Sequence, residues 1–133
     1  MTLKELSQLY HLNREIEQDK ERLQRLRALV ESPSGPNLTD TPGGGSNENR
    51  LERYMAEIVD LEAIISAKIT QCLHERSRLE RYIADIPESY LRLIFTLRFV
   101  NGLSWNQVAF SIGGTTADAA RMACKRYIES VSD

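Results

Sequence analysis

In the N-terminal stretch apolar residues recur at Leu9, Leu12, Ile16, Leu23, Leu26 and Val30. Leu9, Ile16, Leu23 and Val30 share one seven-residue line and Leu12 and Leu26 the next, a heptad seam interrupted at Asp19. No Gly or Pro falls between Thr2 and Val30, and Glu, Gln, Arg and Lys fill the other faces. The spacing predicts one helix of about 29 residues, roughly 43 Å long. Residues 31–49 (ESPSGPNLTDTPGGGSNEN) then hold three of the four prolines and four of the seven glycines. Proline removes amide donors and glycine carries the largest backbone entropy cost, so a flexible linker is expected. Gly43, Gly44 and Gly45 lack the G-x-x-x-x-G-K-[ST] spacing of a phosphate loop and follow no predicted strand, which leaves them a linker role.

A second helix is expected from near Asn49 to Ile86. Leu51, Ile58, Ile65, Cys72, Leu79 and Ile86 fall at seven-residue intervals, and Tyr54, Met55, Leu61, Ile69, Tyr82 and Ile83 widen the stripe. Two long amphipathic helices on a linker form either an antiparallel hairpin or a coiled coil in which each pairs with a second chain. The breadth of the two seams favours a homodimer.

The remaining pattern is shorter in period. Pro87 separates the second helix from a third, capped by Asp85 or Ile86 and running from Glu88 to Val100, with Leu91, Ile94, Phe95, Leu97 and Phe99 facing a core. Asn101-Gly102 supplies a left-handed stop. Ser104-Trp105-Asn106-Gln107 reads as a capping box opening a short helix that turns Val108, Ala109 and Ile112 inward. Gly113-Gly114 makes a turn, Thr115 or Thr116 caps the last helix, and Ala119, Met122, Ala123, Tyr127 and Val131 are expected on its inner face. The fold class is all-α: a helical extension over 1–86, its linker at 31–49, and a three-helix module with a helix-turn-helix over 87–133.

At 133 residues, 27% charged and 41% apolar, the chain has the composition of a soluble folded protein. It contains no run of roughly 18 apolar residues, and Lys4 and Glu5 open an N-terminus without the apolar core of a signal peptide, so a cytoplasmic location without membrane partners is expected. Cys72 and Cys124 have no C-x-x-C spacing and are expected to be reduced and buried. A net charge of -2 argues against coating nucleic acid through bulk positive charge. Its distribution is uneven: residues 1–31 carry six basic and six acidic side chains, 32–88 six and ten, and 89–133 five and three. The mildly basic end fits DNA contact confined to the C-terminus.

Over Ile86-Pro87-Glu88-Ser89-Tyr90, Leu97-Arg98-Phe99, Gly102-Leu103-Ser104-Trp105-Asn106-Gln107-Val108-Ala109 and Ile112-Gly113, the chain resembles region 4 of sigma-70 factors. That pattern runs from a proline-led helix through an R-[YF] pair and G-L-S-[YW]-x-[EQ]-[IV]-A to a leucine-glycine turn. The family continues after the turn glycine with an apolar residue and a serine, where this chain has Gly114-Thr115-Thr116. With its long helices, the whole is similar to small phage and prophage proteins described as sigma-70 region 4-like or RinA/ArpU-type regulators. The resemblance implies a transcription regulator that binds double-stranded DNA, with RNA polymerase as a further partner. Nothing resembles the promoter-melting region of a complete sigma factor.

In a helix-turn-helix the second helix enters the major groove. Thr115, Thr116, Ala117, Asp118, Ala120, Arg121, Cys124 and Lys125 are expected to be its exposed positions. Thr115 or Thr116 would donate to a phosphate beside the helix N-terminus, and Ala117 lies next to them. Arg121 would either bind guanine through two hydrogen bonds, worth roughly 1–3 kcal/mol of discrimination, or neutralise a phosphate. Lys125 and Arg126 suit phosphate contacts, or the dipole of a helix C-terminus. Asp118 fits first-turn dipole stabilisation better than contact with a cytosine amino group, and Trp105 fits a core anchor better than a base-stacking platform. Arg92 and Arg98 are expected to be solvated or paired with Glu88, unless they reach DNA or polymerase.

No catalytic constellation or metal site is expected. His11 and His74 lie on different helices, His74-Glu75-Arg76-Ser77-Arg78 lacks the second histidine of H-E-x-x-H, and Cys72 and His74 fall on different helical faces. No cofactor or enzymatic activity follows from these residues. Two other functions fit the same pattern: a module that binds RNA polymerase or another factor without DNA, and a phage DNA-packaging subunit, in which such helices would assemble a ring.

Overall fold

The computed structural model describes residues 1–31 and 45–131, with side chains from residue 49 onward in the second stretch. The described residues form helices and turns, with no strand among them. They comprise α1 (Leu3–Leu6), α2 (Gln8–Glu31), α3 (Gly45–Ala84), α4 (Ser89–Phe95) continued by a wide turn over Thr96–Val100, α5 (Trp105–Ile112) and α6 (Ala117–Val131). The all-α class and the order of elements are as expected. Residues 32–44, most of the expected linker with Gly43 and Gly44, lie outside the described residues. The second long helix starts at Gly45 rather than near Asn49, one turn earlier.

The single expected N-terminal helix divides at Ser7. Thr2 opens α1 with a capping box: its hydroxyl accepts from Glu5 N–H at 3.2 Å, and the Glu5 carboxylate accepts from Thr2 N–H at 2.8 Å. That hydrogen bond, with Arg78 nearby, holds the Glu5 carboxyl below its ordinary pKa. Ser7 has a ψ of -6°, which flattens the turn, but Ser7 N–H still reaches Leu3 O at 3.0 Å and His11 N–H reaches Ser7 O at 3.3 Å.

The chain packs into two compact units, Met1–Asn13 with Gln71–Asp133, and Arg14–Thr70. This grouping differs from a division at residues 86 and 87. In the first unit Leu6, Leu9, Leu79, Ile83 and Ile86 share one buried cluster with Ile94, Phe95, Phe99, Val108, Ala120 and Cys124. The start of the chain and the end of α3 are therefore part of the core that supports the helix-turn-helix. Phe95 is the centre of its aromatic contacts, with Tyr82, Phe99 and Tyr127 rings at 6.3, 5.5 and 5.7 Å. At the edge of this unit Arg78 pairs with Glu5 at 3.4 Å and the Cys72 thiol donates to Asn13 Oδ1 at 3.5 Å.

In the second unit Ile16, Leu23 and Leu26 of α2 and Leu61 and Ile65 of α3 are buried. Asp19, the polar residue inside the seam, accepts from Lys68 at 2.7 Å, and Glu15 lies 3.3 Å from the same ammonium. The Asp19 hydrogen bond holds the Lys68 pKa above its ordinary value. Further along, Arg27 meets Glu62 at 2.6 Å. Later residues of α2 thus meet earlier residues of α3, an antiparallel pairing within one chain. The apolar stripe is only partly used: Leu51 on the seven-residue line and the widening residues Met55 and Ile69 remain exposed. Leu61, one of the widening residues, and Ile65 lie on the side that faces α2, and Met55 and Ile69 fall outside it.

Leu79 is fully buried, and its replacement by Ala should lower stability by about 2–5 kcal/mol in urea unfolding. The Tyr82 hydroxyl is buried without a hydrogen-bond partner among the described residues, and burial raises its pKa. Tyr82→Phe should therefore leave the urea midpoint unchanged or raise it. A marked fall would mean that the hydroxyl has a partner.

Candidate nucleic-acid interface

Everything in this site belongs to the first compact unit. The chain is extended at Glu88, with a ψ of 130°, so α4 starts at Ser89 with Glu88 at its N-cap position, not Asp85 or Ile86. Arg92 explains the junction. Its guanidinium donates to Ile86 O at 2.6 Å, Pro87 O at 2.9 Å and Ser89 Oγ at 2.8 Å, tying the end of α3 to the start of α4. The expected helix through Val100 changes pitch at Thr96. The Thr96 hydroxyl bonds back to Arg92 O at 2.8 Å, and Asn101 N–H reaches Thr96 O, five residues back, at 2.9 Å.

Gly102 ends this segment with a φ of 71°, as expected for the left-handed stop, and Leu103 N–H closes onto Leu97 O at 3.1 Å. The Ser104 capping box is present: Gln107 N–H donates to Ser104 Oγ at 3.2 Å and Ser104 N–H to Gln107 Oε1 at 2.9 Å. Helix α5 buries Val108 and Ala109. Gly113 and Gly114 then take φ of 78° and 68°. A β-carbon at either glycine would meet nothing within 4 Å, so backbone conformation alone favours glycine there.

The two threonines have different tasks. Thr115 Oγ1 lies 3.1 Å from Tyr90 Oη, which fastens the turn to α4. Thr116 caps α6: its Oγ1 accepts from Ala119 N–H and its carbonyl from Ala120 N–H, both at 3.0 Å. The Thr116 hydroxyl proton is not used in that bond and can donate outward.

The face that α6 buries differs from the expected one. Ala120 and Cys124, expected to be exposed, are buried, with Ala123, Tyr127 and Ile128 half-buried beside them. Ala119 and Val131, expected inside, are exposed, and Met122 is half-buried. The cause is the set i, i+3, i+4, i+7, i+8 formed by 120, 123, 124, 127 and 128, which packs as one stripe once Thr116 fixes the start of the helix. Ala120 and Cys124 therefore cannot touch DNA. Thr116, Arg121, Lys125 and Arg126 are exposed, and Thr115 and Ala117 are half-buried. Asp118, Met122, Lys125 and Glu129 follow one another at helical spacing on the side opposite the core, so Met122 joins the site. Its signal was available in the spacing, but the expected inner face had claimed it.

Asp118 is exposed and lies 3.8 Å from the Arg121 guanidinium, a surface pair of small energetic weight. Among the described residues no carboxylate lies within salt-bridge distance of Lys125 or Arg126. Arg98 does not pair with Glu88 and neither does Arg92. Arg98 donates to Leu103 O at 2.9 Å, and its guanidinium lies 5.0 Å above the half-buried Trp105 ring.

Both thiols are free. Cys72 is half-buried rather than buried. Burial raises the Cys124 thiol to about 11, against a smaller opposing effect of Arg98, which leaves it protonated near neutrality. Among the described residues no group of His, Cys, Asp and Glu is placed to hold a metal, and no helix is long and apolar enough to cross a membrane. Comparison with protein-family models, with curated proteins and with solved structures gives no match.

Thr116→Ala should cost about 0.5–2 kcal/mol in thermal or urea unfolding. In the folded protein Cys72 should react with iodoacetamide well before Cys124, read by peptide mass spectrometry. Equal rates would contradict the burial of Cys124.

Proposed function

We propose that this chain is a non-enzymatic, DNA-binding transcription regulator of the region 4-like kind carried by phages and prophages, reading the major groove with α6. The observation that carries the reading is the outward face of α6. Arg121, Lys125 and Arg126 stand exposed on the second helix of a capped helix–glycine turn–helix unit, beside the Thr116 hydroxyl. Ala117 and Asp118 hold the first amides of α6, so a phosphate beside Thr116 would meet unpaired N–H groups and the positive end of the helix dipole. Arg121 is the candidate for a guanine edge and Met122 for a thymine methyl, with Lys125 and Arg126 on phosphates. Thr115 is assigned to the turn, since its hydroxyl is engaged by Tyr90.

A homodimer fits this function, because paired half-sites raise both affinity and specificity. Leu51, Met55, Val59 and Ile69 of α3 are exposed in the second compact unit and offer apolar surface to another copy. A second reading, binding to RNA polymerase or another protein without DNA contact, is favoured by Phe110, which stands 89% exposed on α5.

The deciding experiment is selection of bound duplexes from a random pool, followed by titration at several salt concentrations. Arg121→Ala should lower affinity for the selected site by about 1–3 kcal/mol and relax one base position. Lys125→Ala should weaken all sequences alike and flatten the slope of log affinity on log salt by about 0.9 per lost phosphate. Absence of any salt-dependent duplex binding by folded protein would sink the reading in favour of the protein-binding one. Light scattering should give a dimer mass that Met55→Glu, Val59→Glu reduces to a monomer.

A further inference from the structure

Helices α1, α5 and α6 and the wide turn after α4 line an open-sided pocket of about 370 Å³ within the first compact unit. That volume lies at the low end of the range of small-molecule sites, about 300–1,000 Å³. Leu3, Phe99, Trp105 and Ile128 supply an apolar lining, with the protonated Cys124 thiol among them. Arg98, Arg121 and Lys125 also line it, against one carboxylate, Glu129. Arg121, Lys125 and Glu129 are exposed, so the cleft opens to solvent on its charged side, where cations outnumber carboxylates, while its floor is apolar.

We propose that this pocket binds a small amphipathic carboxylate, its hydrocarbon part against Trp105 and Ile128 and its carboxylate between Arg121 and Lys125. Charge and lining select the class. A neutral apolar molecule would make no use of the excess of cations over carboxylates in the lining, where Arg121 has only a 3.8 Å surface contact with Asp118, whereas inorganic phosphate or a nucleotide would leave the apolar floor uncovered. Arg98 already bonds Leu103 O and stacks on Trp105, so it shapes the pocket wall, while Arg121 and Lys125 are the groups able to turn toward an anion. The same two side chains are the proposed DNA contacts. Resting on that reading, the bound carboxylate withdraws them from the duplex and acts as an inducer that lowers DNA affinity.

Trp105 is the only tryptophan of the chain and lines the pocket, so its fluorescence reports occupancy directly. The full chain is titrated with sodium octanoate, and with sodium acetate, inorganic phosphate and 1-octanol as controls. Octanoate should give a saturable change in Trp105 emission that acetate and phosphate do not. 1-Octanol should bind more weakly by about tenfold, as should octanoate to the Arg121→Ala, Lys125→Ala variant, the loss expected for one or two charge-assisted hydrogen bonds. No saturable change with octanoate, or equal binding of octanoate and 1-octanol, overturns the assignment. In a second arm, a labelled duplex at low salt is competed with octanoate, and wild-type affinity should fall as the pocket fills. Unchanged DNA affinity at saturating octanoate overturns the competition. If DNA binding itself is absent, no duplex is retained at any octanoate concentration while the Trp105 titration persists, which overturns the competition and the DNA reading but supports the pocket.

Discussion

Phe95 is buried completely, with the rings of Tyr82, Phe99 and Tyr127 around it, and the placement of the α6 surface depends on that cluster. Tyr82 comes from α3, Phe99 from the wide turn and Tyr127 from α6, so one contact set links segments distant in sequence. Leu6 and Leu9 join the same core from the N-terminus. A three-helix module of this size has little apolar area to bury, and the added residues extend its core. The glycine turn and the two caps then fix the exit angle and start of α6, which leaves one helical stripe for the core and the opposite stripe facing outward.

Polar residues near the core act mainly as fasteners. Arg92 satisfies the carbonyls where α3 gives way to α4, and Arg98 satisfies Leu103 O before α5 begins. Carbonyls partly shielded from water are costly without partners, so both arginines are committed to structure. Asp19 and Lys68 do similar work in the other compact unit, where a charge within an apolar seam has its counter-ion on the facing helix. Such a pair adds less to stability than to register, because sliding one helix along the other would separate it.

This division of labour narrows the basic residues available to a ligand. Of the five in residues 89–133, two are held by backbone carbonyls, and Arg121, Lys125 and Arg126 remain on α6. The net charge of -2 thus conceals a small cationic surface. It lies beside a pocket with an apolar floor, and Arg121 and Lys125 belong to both.

The sequence by itself determined the local features. Heptad spacing located both long helices, the S-x-x-Q box located α5, and Gly102, Gly113 and Gly114 located the turns, because each depends on residues within one or two helical turns of one another. Exposure of Arg121, Lys125 and Arg126 was legible for the same reason. Other features needed the tertiary structure. Which of Thr115 and Thr116 caps α6 depended on Tyr90, a residue on another helix, which engages Thr115. The inner face of α6 depended on what packs against it: alanines at 117, 119, 120 and 123 fit either side by composition, and contact with the Phe95 core chose Ala120 and Cys124. The membership of Leu6 and Leu79 in that core was likewise invisible in periodicity, since a repeat shows which face of a helix is apolar and not which distant segment will cover it.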